Sequence, residues 1–159
     1  MTSLRDRAKQ VVRAGGFAGL TAAMLPGMLA HVSATAPGER DLVRERWIRT
    51  WSSALLRLFA IDVEVDGRVP APTRAGARGR LVVSNHRSAI DIGVLLSTFG
   101  GTMVSRADLA RWPLVGAAAR AVGTVFVDRQ SAKSGAATIR AIQKHLEGGA
   151  TIALFPEGT

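Results

Sequence analysis

The 159-residue chain contains no cysteine, no tyrosine and only three histidines, and its aromatic residues are five Phe and three Trp. Without cysteine there are no disulfides, no thiolate metal sites and no cysteine nucleophile. The sparse aromatics form no basic–aromatic ladder of the kind that stacks single-stranded bases, so nucleic acid is not an expected partner. Acidic residues are also short: 12 Asp and Glu face 21 Lys and Arg, a formal net charge of +9. That excess favours anionic partners, and with nucleic acid set aside these are acidic lipid headgroups or phosphorylated substrates. His31 lies within an apolar stretch and His145 near the end of a polar helical segment, so only His86 has a carboxylate at a suggestive spacing. The length allows one domain of ordinary size with a real core.

The first third reads as a membrane attachment. Arg5, Arg7, Lys9 and Arg13 precede an uncharged run from Ala14 to Gly38, interrupted by several glycines and Pro26. About 20 mostly apolar residues suffice to span a bilayer, so the length is adequate while the hydrophobicity is middling. A second helix is expected from an N-cap at Asp41 to about Ala60, with Trp47, Ile48, Trp51, Ala54, Leu55, Leu58 and Phe59 on one stripe. Arg44, Arg46, Arg49 and Arg57 flank that stripe. Two tryptophans and an arginine-rich polar face beside an apolar helix point to an interfacial element on anionic lipid. Residues 1–60 are therefore expected to form a helical hairpin set into one leaflet, on the cytoplasmic face of the cell membrane.

Residues 61–159 follow an α/β pattern. Ile61-Asp62-Val63-Glu64-Val65 alternates and ends in Asp66-Gly67, the signature of a strand and turn. After a Pro-, Gly- and Arg-rich loop, strands are expected at Leu81–Ser84, Thr102–Ser105, Thr124–Val127 and Thr151–Phe155. Helices are expected at Ala89–Thr98, Leu114–Ala121 and Ser134–Glu147, with Pro113 in the first turn of the second and Gly148-Gly149 ending the third. Buried strands alternating with helices predict a largely parallel sheet flanked by helices. Phe155-Pro156-Glu157-Gly158-Thr159 opens a loop after what reads as a central strand, so the chain is expected to be the N-terminal part of a larger fold.

The polar clusters share one geometric class, each lying just past the carboxyl end of a predicted strand. They are Asn85, His86 and Asp91; Arg106 and Asp108; Asp128 and Arg129; and Glu157 with Gly158. In an open parallel sheet those ends form one rim, where ligands bind. His86 is suited to accept a proton from a substrate hydroxyl while Asp91 holds its ring. Arg129 and Arg106 are suited to clamp a phosphate. Gly123 permits the turn into its strand, and Glu157 is placed to bond a hydroxyl or a basic neighbour. Ser84 and Ser88 lack a nucleophile-elbow motif, so direct attack by a bound hydroxyl on an activated acyl donor is the expected chemistry. Taken singly, each cluster has a plainer reading: helix capping, a solvated arginine or an ordinary turn.

Asn85-His86-x-x-x-x-Asp91, Gly123-x-x-Phe126-x-x-Arg129 and Phe155-Pro156-Glu157-Gly158-Thr159, in this order, resemble the motifs of the glycerolipid acyltransferase family. Arg106-Ala107-Asp108-Leu109, followed by Pro113 and Gly116, is similar to a further family stretch, with Arg for Lys and Asp for Glu. The resemblance covers roughly Ile61 to Thr159. It implies transfer of a fatty acyl group from coenzyme A or acyl carrier protein to a lysophospholipid hydroxyl, with 1-acylglycerol 3-phosphate as the expected acceptor. It further implies His86 and Asp91 as the catalytic pair and Arg129, Glu157 and Gly158 as glycerol-phosphate ligands, with no metal or prosthetic group. Lyso-ornithine lipid is the alternative acceptor. A metal-dependent hydrolase built on His86, Asp91 and Asp128 and an inactive lipid-binding fragment are the readings from other classes.

Overall fold

A computed structural model describes residues 4–71, 77–128 and 132–156. Two long helices come first, α1 over Leu4–Ala34 and α2 over Arg40–Leu58, joined by a short turn at Pro37–Glu39. The α/β portion follows as β1 (Arg80–Val83), α3 (Ala89–Phe99), β2 (Thr102–Arg106), α4 (Val115–Ala121), β3 (Val125–Val127), α5 (Ala132–Glu147) and β4 (Thr151–Leu154). The four strands form a wholly parallel sheet in the order β1-β4-β2-β3. The chain moves one way across the sheet from β1 through β2 to β3, then back to β4. Right-handed crossovers therefore place α3 and α4 on one face and α5 on the other.

The expected α/β alternation is present, with differences at particular elements. Ile61–Val65 forms no strand: no described segment pairs with it, and Val63 and Val65 stand exposed. Alternation supplies two faces but not the ladder partner that a strand's N–H and C=O groups require. Asp41 does not cap α2. The N-cap is Glu39, without a side-chain hydrogen bond, and Asp41 sits in the first turn. Pro113 precedes Leu114, which is the N-cap of α4 and has φ +60°, so the proline stands outside the helix. Gly123 enters β3 at φ +79°, as the turn requires. Gly101, at φ +76°, lies so close to β4 that a Cβ would fall 2.1 Å from the Thr151 carbonyl oxygen. Glycine there lets β2 start against β4.

β4 is the centre of the core. Ile152 is wholly buried, and Ala153 packs with Met103 of β2, Leu95 and Leu96 of α3 and Ile48 of α2. The helical hairpin folds back on itself. Trp51 Nε1 donates to Thr21 Oγ1 at 3.1 Å and Trp47 Nε1 to His31 Nδ1 at 3.1 Å, while Phe17 meets Trp51 edge-on. The tryptophans of α2 thus bond to α1, because a half-buried indole N–H needs an acceptor and α1 supplies one. The outward apolar surface lies on α1, where Val11, Val12 and Leu29 are exposed. Asp6–Ala34 is long and apolar enough to cross a membrane.

Arg49 fastens the hairpin to the sheet layer. Its Nε and Nη2 donate to Glu45 Oε1 at 3.1 and 3.0 Å. Its Nη1 and Nη2 donate to the Thr98 and Phe99 carbonyl oxygens, each at 2.7 Å. These carbonyls end α3, where a helix leaves acceptors unsatisfied and a cation is favoured. Arg49→Met is expected to lower stability by about 2–3 kcal/mol, because it strands both a buried Glu45 and the two carbonyls. Arg49→Lys recovers only part, lacking the fork. Chemical denaturation of the three proteins measures this.

Candidate active site

The strand registers set the rim. Arg80 to Val83 pair with Thr151 to Leu154, Met103 with Ala153, and Val104 with Val125, so the four carboxyl ends emerge together. His86 lies three residues past β1, Phe155 directly past β4, Arg106 at the end of β2 and Asp128 directly past β3. Two strand spacings, about 10 Å, separate the β1 exit from the β2 exit, and three, about 14 Å, separate it from the β3 exit.

The turn from β1 to α3 is organised by one carboxylate. Ser88 is the N-cap, its Oγ accepting from Ile90 N at 3.2 Å, and Asp91 is the third helical residue. Asp91 Oδ2 accepts from Ser88 N at 2.8 Å and from Arg87 N at 2.6 Å. This is a capping box with Asp in the place usually held by Glu. The same oxygen lies 3.3 Å from His86 Nδ1. The two backbone N–H groups of Arg87 and Ser88 pull the Asp91 carboxyl below the ordinary carboxylate value, with His86 adding to that effect. Asp91 therefore remains an anion, able to hold His86 with Nδ1 protonated and to stabilise the imidazolium. The residue is thus a helix cap, and the oxygen that caps is the one beside the imidazole.

His86 is mostly buried, and the Phe155 ring stacks on it, centroids 4.0 Å apart and planes 17° from parallel. Sequence reasoning placed Phe155 at the end of a strand and gave it no role in the site. Its position at the start of the Phe-Pro-Glu-Gly run was the available signal. Arg106 faces solvent and grips Asp108 with two hydrogen bonds of 3.0 Å, Nε to Oδ1 and Nη2 to Oδ2. That guanidinium lowers the Asp108 pKa. Arg106 is thus at the rim but engaged by its own neighbour. Arg129, Glu157 and Gly158 lie outside the described residues.

The hydrolase arrangement is not assembled. Asp128 follows the far edge strand β3, and no group of three or more His, Asp or Glu side chains suited to a metal forms among the described residues. What does approach the rim is an apolar cavity of about 170 Å³ between the hairpin and the sheet layer. Met24, Met28 and Trp47 of the hairpin line it, as do Ile92 and Leu96 of α3 and Leu109 after β2. Ile92 follows Asp91 directly, so the cavity begins beside the helix turn that carries the acid.

Residues 62–159 match the family model described as Acyltransferase. The chain is 33% identical over 156 residues to a lyso-ornithine lipid O-acyltransferase of Pseudomonas aeruginosa, covering 96% of this chain and 57% of that protein. It is 30% identical over 100 residues to a 1-acyl-sn-glycerol-3-phosphate acyltransferase of Neisseria gonorrhoeae, covering 63% and 38%. The chain thus spans about half the length of the curated relatives it matches. The crystal structure of the 1-acyl-sn-glycerophosphate (LPA) acyltransferase PlsC of Thermotoga maritima superimposes with TM-score 0.72 at 20% identity, over 98% of this chain and 63% of that one.

Asp91→Ala is expected to cost about 1 kcal/mol at neutral pH through loss of the cap. Because the folded-state pKa of Asp91 is lowered, its contribution is present above the ordinary carboxylate value of 3.8 and fades as the pH falls through the lowered one. Denaturation curves of wild type and Asp91→Ala should accordingly converge in acid; a constant gap would contradict the assignment.

Proposed function

Because the chain belongs to the acyltransferase family, we propose that it transfers a fatty acyl group from acyl-CoA or acyl carrier protein to the free hydroxyl of 1-acylglycerol 3-phosphate, forming phosphatidic acid. The observation that carries the reading is His86 Nδ1 at 3.3 Å from an Asp91 carboxylate already anchored by two backbone N–H groups, on the rim of a parallel sheet. With the Asp91 carboxylate beside Nδ1, the imidazole carries its proton there in this reading and Nε2 is the base. The acceptor oxygen attacks the thioester carbonyl carbon as its proton passes to Nε2. The tetrahedral intermediate then collapses, the carbon–sulfur bond breaks, and the imidazolium returns the proton to the departing thiolate. Asp91 stays ionised throughout and stabilises the cation.

The net charge of +9, Arg106 at the rim and Arg129 of the Gly123-x-x-Phe126-x-x-Arg129 motif support a phosphate-bearing acceptor. Glu157 and Gly158 complete the glycerol-phosphate contacts in this reading. The apolar cavity suits an acyl chain, since it lies against Ile92 of the helix that carries Asp91. The basic N-terminal end of α1 with its exposed Val11 and Val12 suits a bilayer surface rich in anionic lipid, on the cytoplasmic side where acyl donors are made. Lyso-ornithine lipid is the second reading for the acceptor. The match over 96% of this chain and 57% of a lyso-ornithine lipid O-acyltransferase favours it.

Labelled acyl-CoA or acyl carrier protein with a panel of lysolipids, presented in vesicles, tests the assignment. Lysophosphatidate should be the preferred acceptor; preference for lyso-ornithine lipid would transfer the proposal to the second reading. His86→Ala should reduce transfer by on the order of 10²–10⁴-fold, and EDTA should leave it unchanged. Undiminished transfer by His86→Ala would remove the mechanism.

A further inference from the structure

We propose that Phe155 is a positioning residue for the His86 imidazole, setting the plane in which the ring presents Nε2 to the acceptor hydroxyl. The inference rests on the reading of His86 as general base and adds to it a residue that acts through the imidazole. His86 is carried by the loop between β1 and α3, and the Asp91 contact constrains only its Nδ1 edge. The face of the ring meets Phe155, at 4.0 Å and 17°.

The support for Phe155 is itself rigid. It is the residue directly after β4, the strand paired on both sides and the most deeply buried, with Thr151, Ile152 and Ala153 all nearly inaccessible. Its ring packs against the core cluster of Ile48, Leu95, Leu96, Met103 and Ala153. The platform is therefore part of the core, while the base that rests on it is part of a loop. Phenyl is chemically suited to the task. It carries no donor or acceptor that could compete for the migrating proton. Its negative face also tolerates the charge that appears on the imidazole when the hydroxyl proton arrives. A near-parallel stack is not the edge-on arrangement seen where Phe17 meets Trp51.

Phe155→Leu keeps an apolar side chain and removes the flat face; Phe155→Tyr keeps the face. Phe155→Leu is expected to lower kcat about tenfold or more, as small misplacement of a catalytic group does, with KM for lysolipid and donor within about twofold. Phe155→Tyr should stay within about threefold of wild type. If Leu compromises folding by circular dichroism, Phe155→Met takes its place. ¹⁵N-histidine NMR on the same proteins reads the imidazole without reference to turnover. Wild type and Phe155→Tyr should show His86 as one Nδ1–H tautomer with ring-current-shifted carbon-bound protons, and Phe155→Leu should show averaged tautomers and no such shift. If the unaltered chain transfers no acyl group, the functional reading fails while the NMR still decides the positioning. The proposal is overturned by a Phe155→Leu protein whose His86 nitrogens keep the single wild-type tautomer, whatever its kcat, or by a Phe155→Tyr protein as impaired as Phe155→Leu.

Discussion

One carboxylate oxygen of Asp91 accepts two backbone N–H groups, starts α3 and meets His86 Nδ1. The local fold and the site share this interaction. A helix begun here must satisfy its first donors, and the side chain that satisfies them is the one that orients the imidazole. Those same donors keep the carboxylate ionised, which is the state the imidazole needs beside it. Moving the cap would move the imidazole.

The sheet turns this local arrangement into a site. With β4 between β1 and β2, the chain segment farthest along in sequence stands next to the strand that leads to His86. Phe155 reaches the imidazole for that reason alone. The hairpin supplies the remaining wall. Arg49 ties α2 to the carboxyl end of α3, and the tryptophans of α2 close against α1, leaving an apolar cavity between hairpin and sheet. The hairpin thus carries an exposed apolar surface on α1 and lines an interior apolar space on its other side.

Much of this was legible in residue pattern. The runs at Leu81, Thr102, Thr124 and Thr151 are short, apolar and separated by helical periodicities, and each became a parallel strand. The rim followed from topology, so His86 and Asp91 could be placed together without coordinates. What stayed hidden depended on partners distant in sequence. Ile61–Val65 alternates like a strand but meets no described ladder. The stripe of Trp47 and Trp51 has the periodicity of a lipid-facing helix, yet His31 and Thr21 supply hydrogen-bond acceptors that periodicity does not report. Strand order is likewise absent from local pattern, and without it nothing marks Phe155 as a neighbour of His86. Arg106 shows a further limit: its charge was visible, but not its bidentate grip on Asp108.

The central claim is that Asp91 serves the chemistry through His86 while serving the fold independently of it. A double-mutant cycle on His86→Ala and Asp91→Ala, measured both as acyl-transfer rate and as unfolding free energy, separates the two roles. Acting through the imidazole, Asp91→Ala should lower the wild-type rate by on the order of tenfold or more and the His86→Ala rate hardly at all. Its loss of stability should stay similar in both backgrounds. Equal factors of rate loss in the two backgrounds would show that Asp91 acts without His86, and would contradict the account.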